Sequence, residues 1–180
     1  MDYPLANRGL RRAPSDPMTS PASRRPARGR QRQVLDATAK AIIEQLQEDG
    51  RRSYAAIAAA VGLSEAAVRQ RVQKLIDGGV VQIVAVTDPL HVGFLRQAMV
   101  GIKVRGDIAP VAEAISEIPE VDYVVTTAGS FDVLAEVVCE DDAHLLEVIS
   151  QRIRSLPGVA ATETFVYLEL NKQHYNWGTR

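Results

Sequence analysis

Apolar residues recur at helical spacing through the first half of this 180-residue chain and at strand-like spacing through the second, with the rhythm changing near Gln97. Ala39, Ile42, Ile43 and Leu46 fall on one face of a helix over Asp36 to Gln47, which Asp49-Gly50 stops. An alanine-rich helix over Tyr54 to Ala60 follows. Val61-Gly62-Leu63 then makes a sharp bend that glycine permits, and Ser64 is a good N-cap for the next helix. In that helix Val68, Val72, Leu75 and Ile76 stand at i, i+4, i+7 and i+8, so all four are expected to face the core. Two helices about a tight turn, with a third to complete the core, form a helix-turn-helix. After Gly78-Gly79 the β-branched run Val80 to Val86 predicts a strand that serves as a wing beside the last helix.

Beyond Gln97 the pattern predicts a second domain. Ala98, Val100, Ile102 and Val104 alternate along a strand, and Ile108 to Ile118 reads as a helix. Strands over Val121 to Thr127 and Phe131 to Val138 flank the turn Ala128-Gly129-Ser130. A helix over Asp141 to Leu156 carries Leu145, Ile149, Ile153 and Leu156, and a strand over Thr164 to Leu170 closes the domain. The order β-α-β-β-α-β is that of a ferredoxin-like sheet with both helices on one face. Met99, Tyr123, Phe165 and Tyr167 fall at positions suited to the uncovered face, so a second copy is expected there. The fold class is α+β, an N-terminal winged helix-turn-helix followed by a ferredoxin-like βαββαβ domain. The expected divisions are a basic arm over 1–33, a winged helix-turn-helix domain over 34–86, a linker over 87–96, a ferredoxin-like oligomerisation domain over 97–171 and a tail over 172–180.

The outward side of the second helix carries the chemistry. Ala66, Gln70, Gln73 and Lys74 point away from the core, with Arg69 and Arg71 flanking them, and Ser53 and Ser64 open the two helices. Small, amide and cationic side chains suit base edges and phosphates, so double-stranded DNA is the expected partner. The same pattern also fits a solvated helical hairpin that never meets DNA. Charge sharpens the picture through its distribution. Residues 1–33 hold eight Arg against two acids, residues 34–90 six bases against seven acids, and residues 91–180 seven bases against thirteen acids. The Arg-, Pro- and Ser-rich arm lacks the apolar residues of a core and suits phosphates or a minor groove, or else a solubilising tail.

No apolar run approaches the roughly 20 residues a spanning helix needs, and the start lacks a signal-peptide core, so a cytoplasmic protein without membrane contact is expected. Cys139 is the one cysteine, at the end of an apolar strand, which excludes intrachain disulfides and favours a buried thiol. His91, His144 and His174 are scattered, with no metal-ligand or acid–base spacing. Neither a G-x-G-x-x-G, a P-loop nor a nucleophile elbow occurs, so no catalytic residue, cofactor or metal is expected.

The segments LDATAKAIIEQLQEDGR, LSEAAVRQRVQKLIDGGVV, AGSFDVLAEV and LPGVAATETFVYLEL, in this order, resemble the Lrp/AsnC (leucine-responsive, feast/famine) transcription regulators. The resemblance covers about Val34 to Arg180. It implies dimers that assemble further, often into octamers, and free amino acids as effectors bound between dimers. The family's recognition-helix signature matches Leu63, Ser64, Val68, Arg71, Val72 and Leu75. Its effector loop matches Gly129, Ser130, Phe131 and Asp132, with Thr127 and Ala128 leading in. Thr162 and Thr164 match family threonines that face a neighbouring subunit's ligand. A glycine turn, free to take a positive φ, admits a small zwitterion to backbone groups, while Asp132 pairs an ammonium or locks the loop. Many relatives carry an acidic or polar residue in place of Ser130 and a Thr or Ser in place of Ala128, which leaves the effector's identity open. A siroheme decarboxylase-like enzyme and a ligand sensor without DNA binding are the alternatives of similar architecture.

Overall fold

The computed structural model describes residues 34–180, so the arm expected over 1–33 lies outside the described residues. The chain divides into two compact units. The first, described from Val34, runs to Gln82 and takes in Thr179–Arg180, and the second is Ile83–Gly178.

The first unit holds α1 (Ala37–Glu48), α2 (Tyr54–Val61) and α3 (Glu65–Asp77). Each start is fixed by a side-chain oxygen that satisfies an orphan backbone donor. Asp36 accepts the Ala39 N–H at 2.7 Å, and Ser53 and Ser64 accept those of Ala56 and Ala67 at 3.2 Å each. Gly62 ends α2 in the left-handed region at φ 70°, where a side chain is costly. Ile42, Ile57, Val68 and Val72 are wholly buried among the three helices. Ile76, expected in the core, is 37% exposed, because Leu75 takes the last inward position on α3.

The wing is corrected. Val80–Val86 forms no strand, since no other strand of the described residues lies beside it to take its backbone groups. The Val80 and Val81 N–H groups instead cap α3 by donating to the Leu75 carbonyl at 2.9 and 3.2 Å. Ile83, Val84 and Val86 stay exposed.

The second unit contains β1 (Arg96–Val104), α4 (Ile108–Ser116), β2 (Val121–Thr126), β3 (Val133–Cys139), α5 (Asp142–Glu147) and β4 (Val159–Val166). The sheet order is β2-β3-β1-β4 and every neighbouring pair is antiparallel. The alternation read from the sequence is obeyed. Ala98, Val100 and Ile102 on β1, with Val133, Ala135, Val137 and Cys139 on β3, are wholly buried against Val111 and Ile115 of α4 and Leu145, Val148 and Ile153. Burial pushes the Cys139 thiol up to about 11, as suits a core side chain rather than a reactive one.

Two predicted elements are corrected. The helix expected over Asp141 to Leu156 is α5 followed by a π-helical stretch over Val148–Ile153, whose wider turn seats both Val148 and Ile153 in the core. The closing strand begins and ends several residues earlier than Thr164 to Leu170. It is Val159–Val166, because the turn at Pro157-Gly158 delivers the chain to Val104 at once and pairing then runs back along β1. Leu168 is consequently almost wholly exposed.

Gly158 makes that turn at φ +91°, and a Cβ there would stand 2.9 Å from Val111 Cγ2. Gly158→Ala therefore combines a left-handed backbone with a core clash. Its expected cost is about 1–3 kcal/mol in denaturant unfolding. A wild-type unfolding midpoint for this variant would contradict that packing.

Candidate functional site

The outward face of α3 is largely organised in advance. Gln70 and Lys74 are exposed and their side chains have no partner among the described residues, and Ala66 is exposed beside them. Gln73 donates from Nε2 to Asp77 at 2.9 Å. Arg69 is held twice, by Glu65 at 2.8 Å and by the face of Tyr54, whose ring centroid lies 5.0 Å from the guanidinium carbon. Arg71 reaches back to Asp36 at 2.8 Å. The same Asp36 caps α1, and its carboxyl is held below the usual range by the Ala39 N–H first and the Arg71 guanidinium second. Ser53 and Ser64 use their hydroxyls as acceptors for their helices. Neither Tyr54 nor Asp36 was signalled as part of this face. Arg71 lies 35 residues from Asp36, and no local pattern joins them.

The loop over Thr127–Asp132 is closed by its ends. The Thr127 N–H donates to the Asp132 carbonyl at 2.9 Å, the Asp132 N–H to the Ile102 carbonyl at 2.9 Å, and the Thr127 hydroxyl to the Phe131 carbonyl. Asp132 Oδ2 accepts the Val104 N–H at 2.7 Å, next to the register shift in β1. Of its two expected roles, Asp132 performs the locking one. Between these ends Ala128, Gly129 and Ser130 are exposed and make no hydrogen bond within the described residues. The expectation of a positive φ at Gly129 is corrected: the left-handed glycines lie elsewhere, and a Cβ at Gly129 meets nothing within 4 Å.

Thr162 and Thr164 are not gathered with this loop. They pair with Ile102 and Val100, whose side chains face the helices, so both threonines share the helix side of the sheet. Arg154 Nε donates to Thr162 Oγ1 at 2.9 Å. Phe131 lies on the opposite side, edge-on to Phe165 with centroids 6.1 Å apart. A cavity of about 320 Å³ also opens on that side, lined by Gln97, Tyr123, Glu136, Phe94 and Tyr175 among others, and none of the predicted effector residues lines it. On its floor Gln97 donates to Glu136 at 2.9 Å. Burial first, and then Glu136, pushes the Tyr167 hydroxyl up to about 12.

The histidines remain apart, His91 with Asp88 at 2.9 Å and His144 with Glu120 at 3.3 Å. Among the described residues no group of His, Cys, Asp and Glu is placed to hold a metal ion. No helix among them is long and apolar enough to cross a membrane.

Comparison with known proteins agrees with this geometry. Residues 35–76 match the AsnC-type helix-turn-helix domain, and residues 94–180 match a C-terminal dimeric alpha+beta barrel domain. An uncharacterized HTH-type transcriptional regulator of Pyrococcus furiosus is 32% identical over 79% of this chain and 97% of its own length. The HTH-type transcriptional regulator FL11 of Pyrococcus horikoshii is 31% identical over 77% of this chain and 93% of its own. Among solved structures, the leucine response regulatory protein LrpA of Mycobacterium tuberculosis matches with a TM-score of 0.70 at 30% identity, covering 77% of this chain and 96% of that one. A transcriptional regulator of Neisseria meningitidis, solved as an L-Met complex, matches at 0.68 and 25% identity over 79% and 96%. These relatives regulate transcription and are not enzymes, and with a helix-turn-helix and a βαββαβ domain in the same order this chain belongs to the Lrp/AsnC family of helix-turn-helix transcriptional regulators.

Proposed function

We propose that this protein reads duplex DNA through α3 and that a small amino acid or close analogue, bound at the Thr127–Asp132 loop, shifts its assembly and thereby its DNA affinity. The observation that carries the reading of DNA is the outer face of α3, where Gln70 and Lys74 stand free among the described residues and Arg69 and Arg71 are braced beside them. An amide with both donor and acceptor suits a base edge, and braced guanidinium groups suit phosphates. Exposed ion pairs are worth roughly 0.2–1 kcal/mol, so Arg69 and Arg71 exchange their carboxylates for phosphates with little loss. The domain then acts as residues 34–86, joined by a linker over 87–96 to the ligand-binding domain over 97–171 and the tail over 172–180, in the cytoplasm where its DNA lies.

Replacing Gln70 and Lys74 together by Ala is expected to weaken operator binding by about 1–3 kcal/mol for each base edge no longer read, while the oligomer persists. Fluorescence anisotropy on the operator checks this, with light scattering for the oligomer. Unchanged affinity would move the reading surface elsewhere.

The arm over 1–33 is proposed to add affinity without reading sequence, on the strength of its eight Arg residues. Deleting residues 1–30 should lower affinity and flatten its salt dependence, by roughly 0.9 in log–log slope for each phosphate no longer neutralised, with the preferred site unchanged. An unaltered slope would reduce the arm to a passive tail.

For the effector, support comes from the loop's three residues whose backbone is unbonded among the described residues and from the L-Met complex of the Neisseria relative. Thr162 and Thr164 would serve only a ligand held by a neighbouring copy, since they face the helices while Phe131 of their own loop lies on the opposite face of the sheet. A thermal-shift screen of the twenty amino acids is expected to find a ligand that stabilises the protein by about 2.7 kcal/mol at 100 times its Kd. Gly129→Val adds bulk where nothing is crowded, so it should abolish that shift without altering the unliganded melting temperature. A full ligand response in this variant would exclude the loop.

A further inference from the structure

Gly101 sits in the middle of β1, hydrogen-bonded between β3 and β4, at a position where the backbone is ordinary extended strand. Conformation therefore gives no reason for glycine there. Space does. A Cβ on Gly101 would stand 2.7–2.8 Å from three atoms of the Phe131 ring, closer than real side chains approach. Val100 and Ile102, on either side of Gly101, point to the helices, so Gly101 faces the uncovered side of the sheet, and the Phe131 ring lies flush on it there.

The ring has company on that side. Phe165 meets it edge-on at 6.1 Å and 77°, and Phe165 stands opposite Met99 in the ladder. Tyr123 and Phe165 are about half exposed there. From behind, the ring is tied to the loop, because the Phe131 carbonyl takes the Thr127 hydroxyl and the next residue is the locked Asp132.

We propose that Gly101 is the seat of Phe131, and that the seated ring is an anchor through which the Thr127–Asp132 loop takes part in the contact between two copies of the chain. The occupant of this face is the same helix-free sheet face of a second copy. Three observations favour it: the matched C-terminal domain is a dimeric one, the half-exposed aromatic residues lie on the face opposite the helices, and the seat brings a third ring into the same patch. The inference rests on the homodimer reading and is independent of which ligand the loop holds. A large aromatic side chain near the centre of such a contact carries a disproportionate share of its energy.

The test is the dimer dissociation constant of the full chain, measured by sedimentation velocity across a dilution series. Gly101→Ala should raise it at least about tenfold by lifting the ring, and Phe131→Ala should do the same by removing it. The double variant Gly101→Ala/Phe131→Ala should be no weaker than Phe131→Ala alone, since an empty seat tolerates the methyl. Circular dichroism melts establish that each variant is folded. Should Gly101→Ala fail to fold, Phe131→Ala still decides. A wild-type chain that stays monomeric overturns the homodimer reading. A wild-type dimer whose dissociation constant is unmoved by either single substitution, or whose losses add in the double variant, overturns the seat alone.

Discussion

Strand β1 is the member on which the second unit depends. It is hydrogen-bonded along both edges, to β3 from Arg96 to Ile102 and to β4 from Ala98 to Val104, so its register fixes that of the whole sheet. A one-residue slip would turn Ala98, Val100 and Ile102 out of the core and put Met99 and Lys103 into it. The shift between Lys103 and Val104 ends that regularity, and there Asp132 takes the Val104 N–H. One carboxylate thus terminates the ladder and anchors the loop proposed to hold the effector.

In the first unit, local chemistry and packing agree at each helix start. Asp36, Ser53 and Ser64 each satisfy a backbone donor, a contribution of about 1 kcal/mol apiece, and the helices they start share one core. Asp36 is the residue where the two levels meet. It caps α1 and holds Arg71 of α3, so the first and last helices are joined by a polar bridge outside the apolar core.

What was legible in the sequence was what repeats locally. The three helices, the cap at Ser64, the order βαββαβ and the inward residues of β1 follow from spacing that a window of a dozen residues displays. The misreadings of the wing and of the closing strand share a cause, since each needed a partner outside the window. Val80–Val86 has the composition of a strand, but composition supplies no neighbour to bond. The start of β4 was set by pairing to Val104 through Gly158, not by its own alternation. At the loop, Gly129 drew notice as the motif glycine, whereas the glycine under steric demand is Gly101, about thirty positions earlier. Only the fold brings Phe131 onto it.

The arrangement of charge on α3 follows from a related constraint. A helix that meets a polyanion needs cations, yet a small unit cannot leave them floppy without losing their side-chain freedom on binding. Bracing Arg69 between Glu65 and Tyr54, and Arg71 on Asp36, gives up part of that entropy during folding and leaves exposed ion pairs that are readily exchanged. The braces also cancel most of the charge they hold. Residues 34–90 carry six bases against seven acids, so on the proposed reading the long-range attraction to phosphate falls to the eight arginines that precede them. On that reading α3, with Gln70 and Lys74 held in fixed register by a rigid core, distinguishes sequences, and the arginine-rich segment supplies an attraction that needs no register at all.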